Sequence, residues 1–520
     1  MKTFLMLIAV VMVISSCQKT PEACISSSAS TANVNESITF TNCSIESDHY
    51  EWTFGDGSSS SEESPSHIYT TSGTYTVTLT AFSKNGKKTN EATTSVTING
   101  AKTITVSGEI TSNTTWSSDN QYVLSGFVYV VDGVTLTIQA GTIIKGDKDS
   151  KGSLIIERGA KLNAQGTALK PIVFTSNQPA GSRNRGDWGG VIICGKATIN
   201  VAGGEAQIEG GPRTFYGGSN DTDNSGILQY IRIEFAGIAL QPDKEVNGLT
   251  LGGVGNGTTI DHIQVSFCGD DSFEFFGGTV NCKNLIAWKG YDDEFDTDYG
   301  YRGIIQFGVS MRDSGYADVS GSNGFESDND GTGSSNSPFT SALFVNMSVF
   351  GPKATATNPI HPNYKRAMHI RRNSRLSVYN SIITGYPTGL LIDGSATEAN
   401  MNNNDLQIEN TIIAGANSSS FFAVSSTSSL TANDIRTWFK SSTRNNDTLA
   451  TSTDLQISDA FNYSTPNFLP SAGSPALSGA SFSNSRLSNS FIQSVSYRGA
   501  FGNTDWTSGW ANFIPESTVY

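Results

Sequence analysis

Beyond the apolar stretch at its start, the sequence has no run long enough to cross a bilayer, which takes about 20 apolar residues. None of its 6 cysteines shows Cys-x-x-Cys spacing, so no zinc site is expected. Positive charge is scarce: 33 Lys and Arg stand against 47 Asp and Glu, a formal net charge of −14. A nucleic-acid partner therefore has no electrostatic support. Proline is modest at 15, and the 5 histidines form no Ser-His-Asp order with the serines and acids. No Gly-rich phosphate loop leads into a helix. What is abundant is glycine, at 53, alongside many short Val/Ile/Leu runs, which is an all-β composition. A chain of 520 residues is long enough for more than one domain.

The start of the chain has its own logic. Lys2 precedes an apolar run from Phe4 to Ile14, too short to span a membrane and suited to the core of a secretory signal. Val13-Ile14-Ser15-Ser16-Cys17 resembles the lipobox of bacterial lipoproteins. The resemblance implies removal of residues 1–16, acylation of Cys17 and anchoring by lipid rather than by a helix; an outer-membrane, cell-surface location is the expectation drawn from the domains that follow. Each buried CH₂ of such a lipid contributes about 0.8 kcal/mol. In an oxidising compartment Cys24 and Cys43, close in sequence, are the pair expected to bridge. Cys194, Cys268 and Cys282 lie in or beside apolar strands and read as small core residues.

Residues 17–100 form the first folded unit. Ser37-Ile38-Thr39-Phe40-Thr41 and Thr74 to Thr80 alternate with the period of two of half-buried strands. Between them Trp52 and Phe54 share a face, and Gly55-Asp56-Gly57 closes the strand. With Pro65-Ser66-His67-Ile68-Tyr69 and Gly73-Thr74-Tyr75 downstream, the segment resembles the polycystic-kidney-disease (PKD) domain. That implies an immunoglobulin-like β-sandwich acting as a spacer or interaction module, with His67 a structural residue near a turn.

Residues 101–415 read differently. Short strands recur without helical intervals, among them Gly126–Val130, Val134–Ile138 and Gly190–Ile193. A repeat of 22 residues then becomes explicit: Asp270-Asp271-Ser272-Phe273-Glu274 is echoed by Asp292-Asp293-Glu294-Phe295-Asp296. Ile260–Val265 precedes the first copy and Cys282–Ala287 the second; Asn323-Gly324-Phe325-Glu326 follows as a further partner. One such turn cannot bury its own apolar face, whereas stacked turns share a core. Adjacent turns would lie about 4.8 Å apart, with Phe273 and Phe295 stacked inside. The region resembles the right-handed parallel β-helix of pectin-lyase-like proteins. Residues 416–520 lose the repeat and read as an irregular cap over the open C-terminal end, with a short helix over Ala432–Ser441 and Thr431 as its cap. Closing phrases such as Tyr497-Arg498-Gly499-Ala500-Phe501-Gly502 resemble those of β-helix lipoproteins of Bacteroidetes-type bacteria, a likeness that implies no activity.

Chemistry concentrates in one acidic segment. Stacking at the repeat offset sets Asp270 beside Asp292, Asp271 beside Asp293 and Glu274 beside Asp296. Three readings stay open. Asp270, Asp271, Asp292 and Asp293 are catalytic candidates, because paired carboxylates protonate a glycosidic oxygen and activate water. Gly269-Asp270-Asp271 resembles the paired aspartates of polygalacturonases, but that family's companion motifs are missing. Glu274, Asp296 and Asp298 are candidate Ca²⁺ ligands, since hard oxygens suit that ion. Glu326 to Gly331 shares part of an EF-hand pattern but has Glu rather than Asp first, Ser337 rather than Glu at the twelfth position, and no helices. Alternatively the acids are turn residues neutralised by Lys365, Arg366, Arg371, Arg372 and Arg375. Trp188, Tyr291, Tyr299 and Tyr301, in Gly- or Asp-rich turns, are candidate sugar platforms. The expected function is non-catalytic binding of a polysaccharide or envelope protein. A polysaccharide lyase or hydrolase is the first alternative, and an adhesin or transport accessory the second.

Overall fold

The computed structural model describes residues 19–34, 36–241, 244–415 and 421–520. Cys17 and the signal segment 1–16 lie outside the described residues. The chain divides into two compact units, Met1–Lys102 and Thr103–Tyr520.

The first unit pairs a three-stranded sheet (Ile25–Ser27, Ser37–Asn42, Ser66–Ile68) with a five-stranded one built around Gly73–Phe82 and Thr89–Asn99. Ser37–Asn42 alternates as its sequence demands, burying Ile38 and Phe40 against Trp52, Phe54, Val77 and Leu79. Cys24 and Cys43 are disulfide-bonded. His67 lies flat on Phe54 at 4.1 Å, and its Nε2 meets Asp56 at 2.8 Å. Asp56 also accepts the Ser58 N–H at 3.0 Å, and the Tyr69 hydroxyl donates to the Phe54 carbonyl at 2.9 Å. The motif is thus a locked turn. Burial raises the Asp56 pKa, but the bonds from Ser58 and His67 outweigh it and bring it down to about 2.

The second unit is a parallel β-helix. Its strands stack into three ladders, one per side of the coil. The first runs through Thr135–Ile138, Lys161–Gln165, Ile304–Gln306, Leu343–Val345 and Ser377–Tyr379. A second contains Ile143–Gly146, Ile172–Ser176, Val309–Met311, Ser348–Phe350 and Ile382–Thr384. Ser153–Ile156, Val191–Cys194, Leu249–Gly252, Phe273–Phe276, Phe295–Asp298, Phe325–Ser327 and Arg366–Ile370 make the third. Gly226–Glu234, Thr259–Ser266 and Asn281–Trp288 each bend from the first ladder into the second.

The bend is made by one left-handed residue per coil: Tyr230, His262, Asn284, Phe307, Asn346, Asn380, Asn410 and Asn445, all with φ between 50° and 62°. Asparagine tolerates this conformation and recurs for that reason. Tyr230 and His262 instead stack on each other at 4.4 Å, with Trp510 packed edge-on. Inside the coil Phe273 and Phe295 stack at 5.4 Å and 6°, as the repeat predicts, and Phe295 packs on Phe325 at 5.8 Å.

The C-terminal segment does more than cap the end. A helix over Ala432–Phe439, with Thr431 and Asp434 forming a capping box, packs Phe439 on Phe422 of the last coil. The rest runs back along the flank of the coil and bonds to residues at and beside its corners. Gln264 exchanges hydrogen bonds with Asn512, Gln306 with Gln493, and Asn380 with Ser481. Phe468 and Phe513 cover Trp288. The physical reason is the second ladder: Val309–Met311, Ser348–Phe350 and Ile382–Thr384 are buried at every position, so both of their faces need cover.

Candidate functional site

The turns that leave the second ladder and enter the third carry Asp270-Asp271 and Asp292-Asp293. Register brings them together, with Phe273 opposite Phe295 and Glu274 opposite Asp296. Asp271 Oδ1 accepts the Asp293 N–H at 2.7 Å; Asp293 accepts the Asn323 N–H and, at 3.3 Å, its Nδ2. Asp292 accepts the Ser320 hydroxyl at 2.8 Å. The turn itself is held from below by Arg312. Its guanidinium donates to Glu294 Oε1 at 2.8 Å and to the carbonyls of Tyr291 and Asp292, and neither Arg312 nor Glu294 has any side-chain exposure. Its only sequence signal is an arginine following the apolar strand Val309–Met311.

On the outer side of the third ladder Glu274, Asp296, Glu326 and His369 form one column. The column divides by charge. At its far end His369 lies 3.1 Å from Glu326 and 3.2 Å from Asp393; Arg371 pairs with Glu326 and Asp328, and Arg372 with Asp328 at 2.7 Å. Arg375 pairs instead with Asp405 at 3.8 Å. The ion pairs of Arg371 and Arg372 thus fall on Glu326 and Asp328, while Asp296 and Asp298 feel those charges only at longer range. In the other half, burial and then the crowding of like charges push Asp271, Asp292, Asp293 and Asp296 well above the usual carboxylate range. Glu274 is driven up by burial, against a hydrogen bond with Asp271, and Asp298 reaches about 8.

Oxygens converge in two places. One from each of Asp271, Glu274 and Asp296 lie within 4.8 Å of one another, as do one from each of Asp270, Asp271 and Asp292. Asp298 is in neither group: two residues along a strand from Asp296, about 6.6 Å away by strand rise, its carboxylate instead accepts the Tyr299 N–H at 2.6 Å. Asp271 takes the place expected of it.

Two of the four aromatic platforms fail. Trp188 is fully buried; its indole donates to the Glu234 carbonyl at 2.7 Å and lies where a Cβ on Gly146 would have to be. Tyr301 is also fully buried, stacked on Phe275 at 4.6 Å with its hydroxyl on the Val280 carbonyl. Glycine in these turns admits the ring into the coil rather than displaying it. Tyr299 is half-buried near Phe276, 5.7 Å between centroids.

Tyr291 does face open space. It lines a cleft of about 810 Å³ whose wall includes Gly269, next to Asp270. Sequence reasoning missed the other lining residues, which come from distant turns: Arg185, Phe267, Lys289, Asp313 and Tyr316. The Arg185 guanidinium is clamped between Phe267 and Tyr316, at 5.0 and 4.3 Å, and bound by Asp313 at 2.5 Å. Lys289 sits over Phe267 at 5.1 Å, its pKa lowered by burial. A second cavity of about 650 Å³, beside Phe215, is lined by Arg158, Arg213 and Lys196, which are paired with Glu205, with Glu157 and Glu109, and with Asp132. Its charges are occupied.

Comparison with known proteins supports this architecture. Residues 18–98 match the PKD domain family. A 65-residue stretch is 43% identical to a collagenase, ColA, of Bacillus cereus; it covers 12% of this chain and spans only 7% of that protein's length. Among solved structures, the PKD1 domain of Vibrio anguillarum Epp is 31% identical, covering 16% of this chain and 98% of that one, with a TM-score of 0.14. The PKD1 domain of the Vibrio cholerae metalloprotease PrtV is 26% identical over 16% and 99%, also at 0.14. A structure described under carbohydrate-binding modules of the β-sandwich superfamily is 24% identical over 16% and 36%, at 0.16. Residues 108–511 match the family described as the pectate-lyase-like β-helix domain. With that match spanning most of the chain, the protein belongs to the pectate-lyase-like β-helix family and carries a PKD domain ahead of the coil.

Proposed function

We propose that the chain is a cell-surface lipoprotein, held by acylated Cys17, that binds glycan without cleaving it. The carrying observation is the cleft at Tyr291. Its volume suits a few sugar rings. Tyr291 and Tyr316 offer ring faces, the Lys289 ammonium supplies donors beside them, and the Arg185–Asp313 pair fixes the wall. This combination of apolar face and fixed polar rim is what a saccharide needs. Binding rather than turnover is favoured because Asp271 and Asp293 are committed to bracing one turn on the next.

The rival reading, a lyase or hydrolase, draws on the crowded carboxylates, whose raised pKa values suit a general acid. Titration of the full chain with a panel of acidic and neutral polysaccharides, with product analysis, separates the two. Saturable binding without new reducing or unsaturated ends is the expected result. Release of such ends, abolished by Asp271→Asn, would establish the rival.

A further inference from the structure

In the turns that enter the first ladder, Arg302, Ser341 and Arg375 hold the same place in three successive coils. Each stands two residues before its strand, and those strands are in register, with Ile304 opposite Leu343 and Leu343 opposite Ser377. The turn backbones continue the ladder: the Ser341 N–H donates to the Tyr301 carbonyl and the Arg375 N–H to the Thr340 carbonyl, both at 2.8 Å. The two arginines are thus two coils apart, roughly 10 Å along the stack, with a serine between them. The C-terminal segment brings in Arg486. Together with Asp405 and Phe339 the three guanidiniums line a cavity of about 480 Å³, which shares no residue with the cleft at Tyr291.

Unlike the charges beside Phe215, these are not spent. Arg302 is held by Asp221 at 2.5 Å. Arg486 rests on neutral oxygens, the Ser377 hydroxyl at 2.9 Å and the carbonyls of Asp405 and Asn404 at 2.8 and 3.1 Å, and forms no ion pair among the described residues. Arg375 decides the matter. Its guanidinium lies over the Phe339 ring at 3.6 Å, and Asp405, at 3.8 Å, is beyond hydrogen-bond reach. Among the described residues its side chain donates no hydrogen bond, and its Nε is shut away from solvent, so the terminal nitrogens are the donors left to the pocket. Counting Asp221 and Asp405, three positive charges face two negative ones, in a chain whose net charge is −14.

We propose that this pocket binds a tetrahedral oxyanion, the sulfate or phosphate monoester of a sugar-sized molecule. A guanidinium fork pairs with an oxyanion two N–H groups at a time. A carboxylate offers two oxygens, which one fork satisfies. A monoester offers three, which suits arginines that reach in from separate turns. The Phe339 contact holds Arg375 in place before the ligand arrives, which lowers the ordering cost of binding. The cavity exceeds one ester group and leaves room for the ring that carries it. The site is independent of glycan binding at Tyr291, since no side chain serves both.

The test is titration calorimetry of the full chain, purified in detergent, in low-salt buffer with glucose 6-sulfate, glucose 6-phosphate, glucuronate and glucose. At least one ester is expected to saturate, at least about tenfold tighter than glucuronate or glucose, and the tighter ester names the source. Arg375→Gln removes a guanidinium that makes no hydrogen bond within the described protein, and should weaken that ester at least about tenfold. Phenylglyoxal labelling of wild type, read by peptide mass spectrometry, should be slowed by the ester at Arg375 and not at Arg213. Four results would each overturn the proposal: no saturation by either ester below about 10 mM, glucuronate binding as tightly as the better ester, wild-type affinity in Arg375→Gln, or equal protection of Arg213. Should the variant misfold, the wild-type titrations and labelling decide. The polysaccharide titrations remain a separate test of the glycan reading.

Discussion

Replacing Arg312 by methionine should destabilise the β-helix unit by about 4 kcal/mol, because it strands the Glu294 carboxylate in the core. Both side chains are fully buried, the pair is 2.8 Å apart, and the remaining partner of Glu294 is the Ser272 hydroxyl at 2.7 Å. Glu294→Met should cost about as much, since it strands the guanidinium instead. The double variant is the informative one. With both charges gone, what remains unmet is the Ser272 hydroxyl and the Asp292 carbonyl, at about 1 kcal/mol for each lost bond, since the Tyr291 carbonyl keeps the Ser322 hydroxyl at 2.8 Å and the Asp318 N–H at 3.2 Å. The double should therefore cost about 2 kcal/mol, against about 8 for the two singles added. Guanidinium unfolding of the four proteins, compared at a common slope, measures the difference. A double variant as unstable as the sum would refute the claim that this pair is a coupled unit beneath the acidic turn.

Two further outcomes follow from the same residues. Burial lowers the His369 pKa, but hydrogen bonds with Asp393 and Glu326 and the Glu326 charge raise it above its ordinary value. Its contribution to stability is thus complete below about pH 6.5, the unfolded value, and is lost as pH rises through the folded one. Thermal midpoints of wild type should fall between pH 6 and pH 8 relative to His369→Gln; parallel profiles would count against the Glu326–His369–Asp393 bridge. Labelled palmitate should enter the wild-type chain in a bacterial host and be absent from Cys17→Ala, which should leave the membrane fraction. Equal labelling would remove the lipid anchor.

Much of the fold is legible because one offset governs it. A repeat of 22 residues puts Phe273 on Phe295 and Glu274 beside Asp296, and the register follows it residue for residue. Asn323-Gly324-Phe325-Glu326 rejoins that register after an inserted loop, since Phe325 still has to fill the next level of the core. What is not legible has no period. The C-terminal segment binds the flank through Phe468, Trp510 and Phe513, whose spacing answers to coils far away in sequence. The cleft is similar: Arg185, Phe267, Lys289 and Tyr316 meet because four different turns end there. Trp188 and Tyr301 look exposed in sequence because glycine surrounds them, yet that same glycine makes room for the rings inside. In the acidic segment sequence shows which carboxylates meet; it does not show that Arg371 and Arg372 form their ion pairs with Glu326 and Asp328.

The central claim, that the cleft at Tyr291 is the glycan site, is tested most directly by a comparison of aromatic variants. Affinity for a polysaccharide that the wild-type chain binds would be measured by calorimetry for Tyr291→Ala, Tyr316→Ala and Phe215→Ala, the last at the other cavity. The account predicts at least about a tenfold loss for each tyrosine variant, the size of one stacking contact, and none for Phe215→Ala. Undiminished binding by both tyrosine variants, or loss confined to Phe215→Ala, would contradict it.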